Sequence, residues 1–160
     1  MNTFTKWFLL NAVMLTAVFF AETKGAISTM VKNDVSHLTI VIMVLYVLIS
    51  GMVGRLCYQA DRAGGNTPKD IDKRANISRR AEVGWFAAEH FFSLGLLGTV
   101  FGLCLATATN LNEEASVSAI VAGLKVGLNT AFYTTICGIV FSLPLQTQLM
   151  ILRFKLEEND

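Results

Sequence analysis

Four threonines set in apolar surroundings are the side chains of this 160-residue chain best suited to chemistry: Thr99, Thr130, Thr134 and Thr135. Between Leu128 and Pro144 no acid and no base interrupts the run that holds the last three. A hydroxyl donates one hydrogen bond and accepts two, so it can replace part of an ion's hydration shell. It does not carry a proton itself at neutral pH. A helix lined in this way can border an ion path, provided that the titrating group comes from another chain. The competing role is structural: a threonine inside an apolar helix commonly bonds the carbonyl one turn back on its own helix. Thr99 and Thr135 are the leading path candidates. Thr134 adds a neighbouring hydroxyl, and Thr130 with Asn129 would extend the polar path outward.

Three charged or titratable side chains lie near these runs. Lys125 is the one charge inside the fourth apolar segment, and a lysine at a membrane centre costs on the order of 2.5–3.5 kcal/mol. It lies near the outer end, where it snorkels to water or lines an outer vestibule. Glu89 and His90 sit near the inner end of the third segment, as a solvated pair or as a proton exit. The chain shows no His, Cys or carboxylate spacing of a metal site or a nucleophile cluster. No metal, no organic cofactor and no enzymatic activity are expected. Cys57, Cys104 and Cys137 read as packing residues with free thiols.

The elements that would position these groups are four membrane helices. Hydrophobic residues make up 53% and charged residues 16% of the chain, against about 25% charged in soluble proteins. The net charge of +1 argues against nucleic-acid binding. Apolar segments at about 4–21, 37–58, 83–108 and 117–152 are long enough to cross a layer of roughly 30 Å. They form one membrane domain over residues 1–160, with a loop at about 59–82. The first resembles a signal peptide, but Phe19 spoils the cleavage pattern and an uncleaved anchor is expected. The fourth is longer than a bilayer needs, so its end continues as a helix or tilts. Pro144 removes a backbone donor there and is expected to kink it. The fold class is thus an all-α integral membrane protein of four transmembrane helices with helical cytoplasmic extensions.

Loop charge sets the orientation. Arg55, Arg62, Lys69, Lys73, Arg74, Arg79 and Arg80 cluster around the central loop, whereas the segment from Thr109 to Ser116 has no base and carries Glu113 and Glu114. The positive-inside rule puts the central loop and both termini in the cytoplasm. Gly64-Gly65-Asn66 reads as a break. Thr67-Pro68 then starts a short helix, and a second helical stretch from about Ser78 feeds the third span. Gly95, Gly98 and Gly102 in that span let a second backbone approach. So does the stripe Gly123, Gly127, Ala131, Thr135, Gly138 and Ser142 in the fourth.

Two stretches carry a family resemblance. Leu94-Gly95-Leu96-Leu97-Gly98-Thr99-Val100-Phe101-Gly102-Leu103 resembles the GLLGTVxG signature of the MotA/TolQ/ExbB proton-channel family. The run from Gly127 to Pro144 is similar to the family's final helix, with Ala131, Thr135 and Gly138 in its Ala-x-x-x-Thr-x-x-Gly positions and Leu143-Pro144 at its end. The resemblance implies a homopentameric ring around two helices of a single-span partner of the MotB, ExbD or TolR type, each bearing an intramembrane aspartate. Protons, or sodium in some members, bind that aspartate, and the flow is turned into rotation. Thr99 and Thr135 fall on the family's pore threonines. A bacterial inner-membrane location follows from the same resemblance. Thr130 stands where some relatives carry a glutamate, and Thr134 where many carry alanine. The short central loop lacks a flagellar stator's torque-bearing lobe. A holin-like pore formed by this chain alone and a non-conducting scaffold are the alternatives from other classes.

Overall fold

A computed structural model describes residues 2–63, 67–108 and 116–158. The order is α1 (Thr3–Thr23), α2 (Ala26–Asn33), α3 (Leu38–Arg62), α4 (Pro68–Ala108) and α5 (Val117–Glu158). No strand occurs among the described residues. Four of the five helices, all but α2, are long and apolar enough to cross a membrane. The expected break at Gly64-Gly65-Asn66 and the acids Glu113 and Glu114 lie outside the described residues.

One expectation is corrected. The stretches from Pro68 and from Ser78 are not separate helices: α4 is continuous over 41 residues. No glycine or proline interrupts Lys69–Val83, and Pro68 occupies the first helical position, where its missing N–H costs nothing. At this rise α4 is about 60 Å long, twice the hydrocarbon thickness, so its basic first half extends beyond the apolar layer. The segment between the first two spans holds α2, introduced by Gly25 in the left-handed region (φ 69°). As for α5, it runs 42 residues and remains one helix across Pro144.

The antiparallel pair α4–α5 is the spine of the protein. On α4 the buried residues Ile77, Ala81, Gly84, Ala88, Phe91, Gly95, Gly98 and Gly102 recur at alternating steps of four and three. On α5 the steps alternate through Gly127, Ala131, Thr134, Gly138, Phe141, Leu145, Gln148 and Leu152, all buried. A mean step of 3.5 residues keeps one seam facing its partner in a left-handed crossing. The seam is tight where glycines meet. A Cβ on Gly102 would lie 2.5 Å from the Gly127 carbonyl oxygen, and one on Gly138 2.7 Å from that of Phe91. Packing of this kind substitutes for the hydrophobic drive that lipid does not supply.

Against the spine lie α1 and α3. Trp7 of α1 fills the notch at Gly54 and donates from Nε1 to the Ser50 carbonyl at 3.1 Å. The first amides of α1 are capped from another helix: Thr3 N and Phe4 N donate to the Asp61 carboxylate at 3.0 and 2.8 Å, which satisfies donors a helix start leaves open. Asp34 does the same for α3. Its carboxylate accepts Ser36 N at 2.9 Å and Thr39 N at 2.8 Å.

Candidate ion path on the α4–α5 face

Thr99 and Thr135 meet across the seam, hydroxyl to hydroxyl. The glycines make this possible: at Gly95 a Cβ would stand 3.0 Å from the Thr134 carbonyl oxygen and 3.2 Å from the Thr135 Cα. Each hydroxyl also reaches the same two carbonyls. Thr99 Oγ1 lies 3.2 Å from Gly95 O and 3.4 Å from Ala131 O; Thr135 Oγ1 lies 3.3 and 2.9 Å from them. The result is a cluster of four oxygens with two movable protons. Both carbonyls sit one turn before their threonine, where they also take the helical N–H. A hydroxyl that turns away therefore strands no carbonyl. Both side chains are only half-buried.

Thr134 and Thr130 are in a different state. Both are fully enclosed by the protomer, at 0% exposure. Thr134 donates to Thr130 O at 2.9 Å, with Ala131 O at 3.2 Å, and fills the hollow left by Gly98. Thr130 donates to Asn33 O at 3.1 Å and accepts from Val35 N at 3.3 Å, so it pins the α2–α3 turn to α5. Adjacent threonines thus share carbonyls but differ in access: Thr135 is half-buried beside Thr99, whereas Thr134, which also reaches Ala131 O at 3.2 Å and Gly95 O at 3.5 Å, is enclosed in the seam.

The face of α4 that carries Thr99 continues toward the basic end of the helix. Glu89, Phe92, Leu96 and Thr99 follow at steps of three, four and three, and share a face at helical spacing. A cleft of about 430 Å³ is lined there by Glu89, Phe92, Ile139, Ser142, Leu143 and Gln146. Ser142 donates to Ala88 O at 2.8 Å, and Gln146 Nε2 donates to Ser142 Oγ at 3.1 Å. His90 is exposed, stacks on Phe86 and holds its carbonyl through Nδ1 at 2.7 Å. It lies one residue off the Glu89 face. Lys125 is exposed near the start of α5, away from the Thr99–Thr135 cluster along the helix. No group of three or more metal-ligating side chains is gathered among the described residues.

A second polar group was missed by sequence reasoning. Asn11 of α1, Tyr46 and Ser50 of α3 and Gln148 of α5 form a knot. Ser50 Oγ lies 2.9 Å from both Asn11 Oδ1 and Gln148 Oε1, and Gln148 Nε2 donates to Tyr46 OH at 3.3 Å. The available signal was the presence of amide and hydroxyl side chains within three apolar segments, since such groups bond across helices when lipid offers no partner.

The sequence profile of the MotA/TolQ/ExbB proton channel family matches residues 70–159, more than half of the chain. The matched span takes in nearly all of α4 and all of α5, and so the Thr99–Thr135 pair. No curated protein and no solved structure matches the chain. Four apolar helices, a glycine-built α4–α5 seam and a profile match over that seam mean that the chain belongs to the MotA/TolQ/ExbB proton channel family.

Proposed function

We propose that this chain is the ring subunit of a rotary motor driven by the proton-motive force. In this reading five copies surround two helices of a single-span partner, each bearing an intramembrane aspartate. The observation that carries the reading is the half-open pair Thr99–Thr135. Its hydroxyls are within reach of a visitor. No acid occurs in α4 after Glu89 or in α5 before Glu157. The path therefore has neutral donors and acceptors and lacks a proton carrier of its own.

The chemistry follows from those donors. A charged aspartate entering the ring accepts a hydrogen bond from Thr99 or Thr135, whose proton leaves a carbonyl that its helix still satisfies. Hydrogen bonds to charged groups contribute about 1.5–3 kcal/mol, so the ring favours the charged acid at this level. Once protonated, the acid loses that preference and moves on. The membrane potential adds about 2.3 kcal/mol per charge per 100 mV. Glu89, on the same face of α4 as Thr99 and nearer its basic end, receives the proton on that side. Thr134 and Thr130 serve from behind by fixing the seam and the α2–α3 turn. Protons are the favoured ion, and sodium, which also takes oxygen ligands, is second. The clustered bases of α4 support a reading in which that end, with both termini, faces the cytoplasm of a bacterial inner membrane.

The test is flux into proteoliposomes that contain this chain with and without an aspartate-bearing single-span partner. Proton uptake only in the co-reconstituted vesicles, abolished by an Asp→Asn change in the partner, supports the reading. Gated uptake by this chain alone would make it a self-contained pore instead.

A further inference from the structure

Where α3 ends and α4 begins, a groove of about 520 Å³ opens between the two helices. Its walls carry Arg62, Lys73 and Arg80, together with Tyr58, Asn76 and Ile77. No acidic side chain lines it among the described residues. The nearest carboxylate with a stated contact is Asp70, 3.6 Å from Lys73 in a bridge that leaves the lysine 65% exposed. Arg62 is held over the Tyr58 ring at 4.5 Å, which fixes its guanidinium without neutralising it. The volume falls within the range of small-ligand sites, and the floor is mostly carbon. Three cations around an apolar floor, with an amide at Asn76, match a phosphodiester with an apolar body attached. Arginine forks bind phosphate through paired N–H donors, and lysine adds a point charge.

The surroundings give that body a direction. Arg55 lies seven residues before Arg62 on the same face of α3 and is exposed. Continuing along that face, Leu48, Val44 and Val41 are exposed apolar side chains. A molecule whose phosphate sits among Arg62, Lys73 and Arg80 can therefore lay its chains along the apolar face of α3. Free phosphate would use only the cations. An amphiphile uses both.

We propose that this groove binds the headgroup of an anionic phospholipid, with the acyl chains running up α3. The site is separate from the ion path, because Arg80 and Thr99 are about 28 Å apart along α4. It does not depend on the motor reading, only on α3 crossing the bilayer. Its occupancy ties the basic half of α4 to the membrane surface, at the level where the Asp61 cap joins α1 to α3.

Native mass spectrometry of the purified assembly, supplied with phosphatidylethanolamine and phosphatidylglycerol together, reads the site directly. The unmodified protein should retain phosphatidylglycerol in preference. The triple variant Arg62→Gln, Lys73→Gln, Arg80→Gln should lose that preference by roughly tenfold or more, the scale of losing several basic groups near a membrane surface. A control triple, Lys24→Gln, Arg79→Gln, Arg153→Gln, changes the net charge equally and should keep it. Equal retention of the two lipids by the unmodified protein overturns the proposal without reliance on any variant folding. So does an unchanged preference in the groove variant. If inorganic phosphate alone binds as tightly as phosphatidylglycerol, the site reads the phosphate and not the lipid. If the groove variant falls apart into smaller assemblies with no change in lipid per protomer, the groove joins copies of the chain.

Discussion

Two polar clusters sit in the apolar part of this protein, and they differ in what they leave open. The knot of Asn11, Tyr46, Ser50 and Gln148 joins α1, α3 and α5 by side chain–side chain bonds; Ser50 is 3% and Gln148 0% exposed. The pair Thr99–Thr135 joins α4 and α5, is half-buried, and shares carbonyls that their helices satisfy in any case. A closed network rigidifies, because breaking any member leaves a buried group without a partner. A half-open pair can trade an internal bond for one to a guest at small cost. Polarity inside a membrane protein therefore does not mark function by itself. What marks it is polarity with spare capacity and access.

The comparison breaks most sharply at adjacent residues. Thr135→Val should cut partner-dependent proton flux at least about tenfold, the effect of losing one hydrogen bond of about 1.4 kcal/mol or more to a charged group. The assembly should stay intact. Thr134→Val should leave flux near the unmodified level and disturb the seam instead. A flux assay on both, with assembly checked by size-exclusion chromatography, separates the roles. Equal losses would erase the distinction drawn between the two faces of α5.

The closed knot should answer to stability alone. Gln148→Leu leaves Ser50 and Asn11 short of a partner and should destabilise the protomer by about 1–3 kcal/mol, read as a lowered thermal unfolding midpoint in detergent. Flux per assembled ring should be unchanged. A large flux loss at normal stability would put the knot on the path and sharpen the account in an unexpected direction.

A smaller effect concerns Asp34, which lies outside the spanning helices. Burial pushes its carboxyl up, but the hydrogen bonds from Ser36 and Thr39 outweigh burial and hold it below its ordinary value. A folded value below the unfolded one gives stability that is complete above the unfolded value and is lost as pH falls through the folded one. The unmodified protein should therefore lose midpoint on acidification below the ordinary carboxylate range, and Asp34→Asn should lose less over that window. At neutral pH the variant should cost about 0.5–2 kcal/mol, as for other helix caps.

Much of the frame was legible in the amino-acid order. Four apolar runs follow from length and hydropathy, and the glycine motif around Thr99 announces a close neighbour. The matching pattern around Thr135 names that neighbour as the last helix. The rest depended on distance. Asn11 and Gln148 are 137 positions apart, and no local pattern says that they meet. The helix α2 is only eight residues long and has no side-chain cap at its start, so little marks it off from a loop. The unbroken α4 was obscured because its basic half looks like loop by composition, although no residue in it stops a helix. The small-residue stripe and the family pattern put Thr135 ahead of Thr134, but neither says that Thr134 is enclosed. Only the 3.5-residue seam, which takes Thr134 inward, shows that.

The central claim is that Thr99 and Thr135 are neutral hydroxyls waiting for an acid from another chain. The most direct measurement is voltage-driven proton flux in liposomes holding this chain and its single-span partner, compared for the unmodified pair and for Thr99→Val, Thr135→Val. The account predicts intact rings with flux lost in the double variant, and no flux from either protein alone. Undiminished flux through rings that lack both hydroxyls would contradict it.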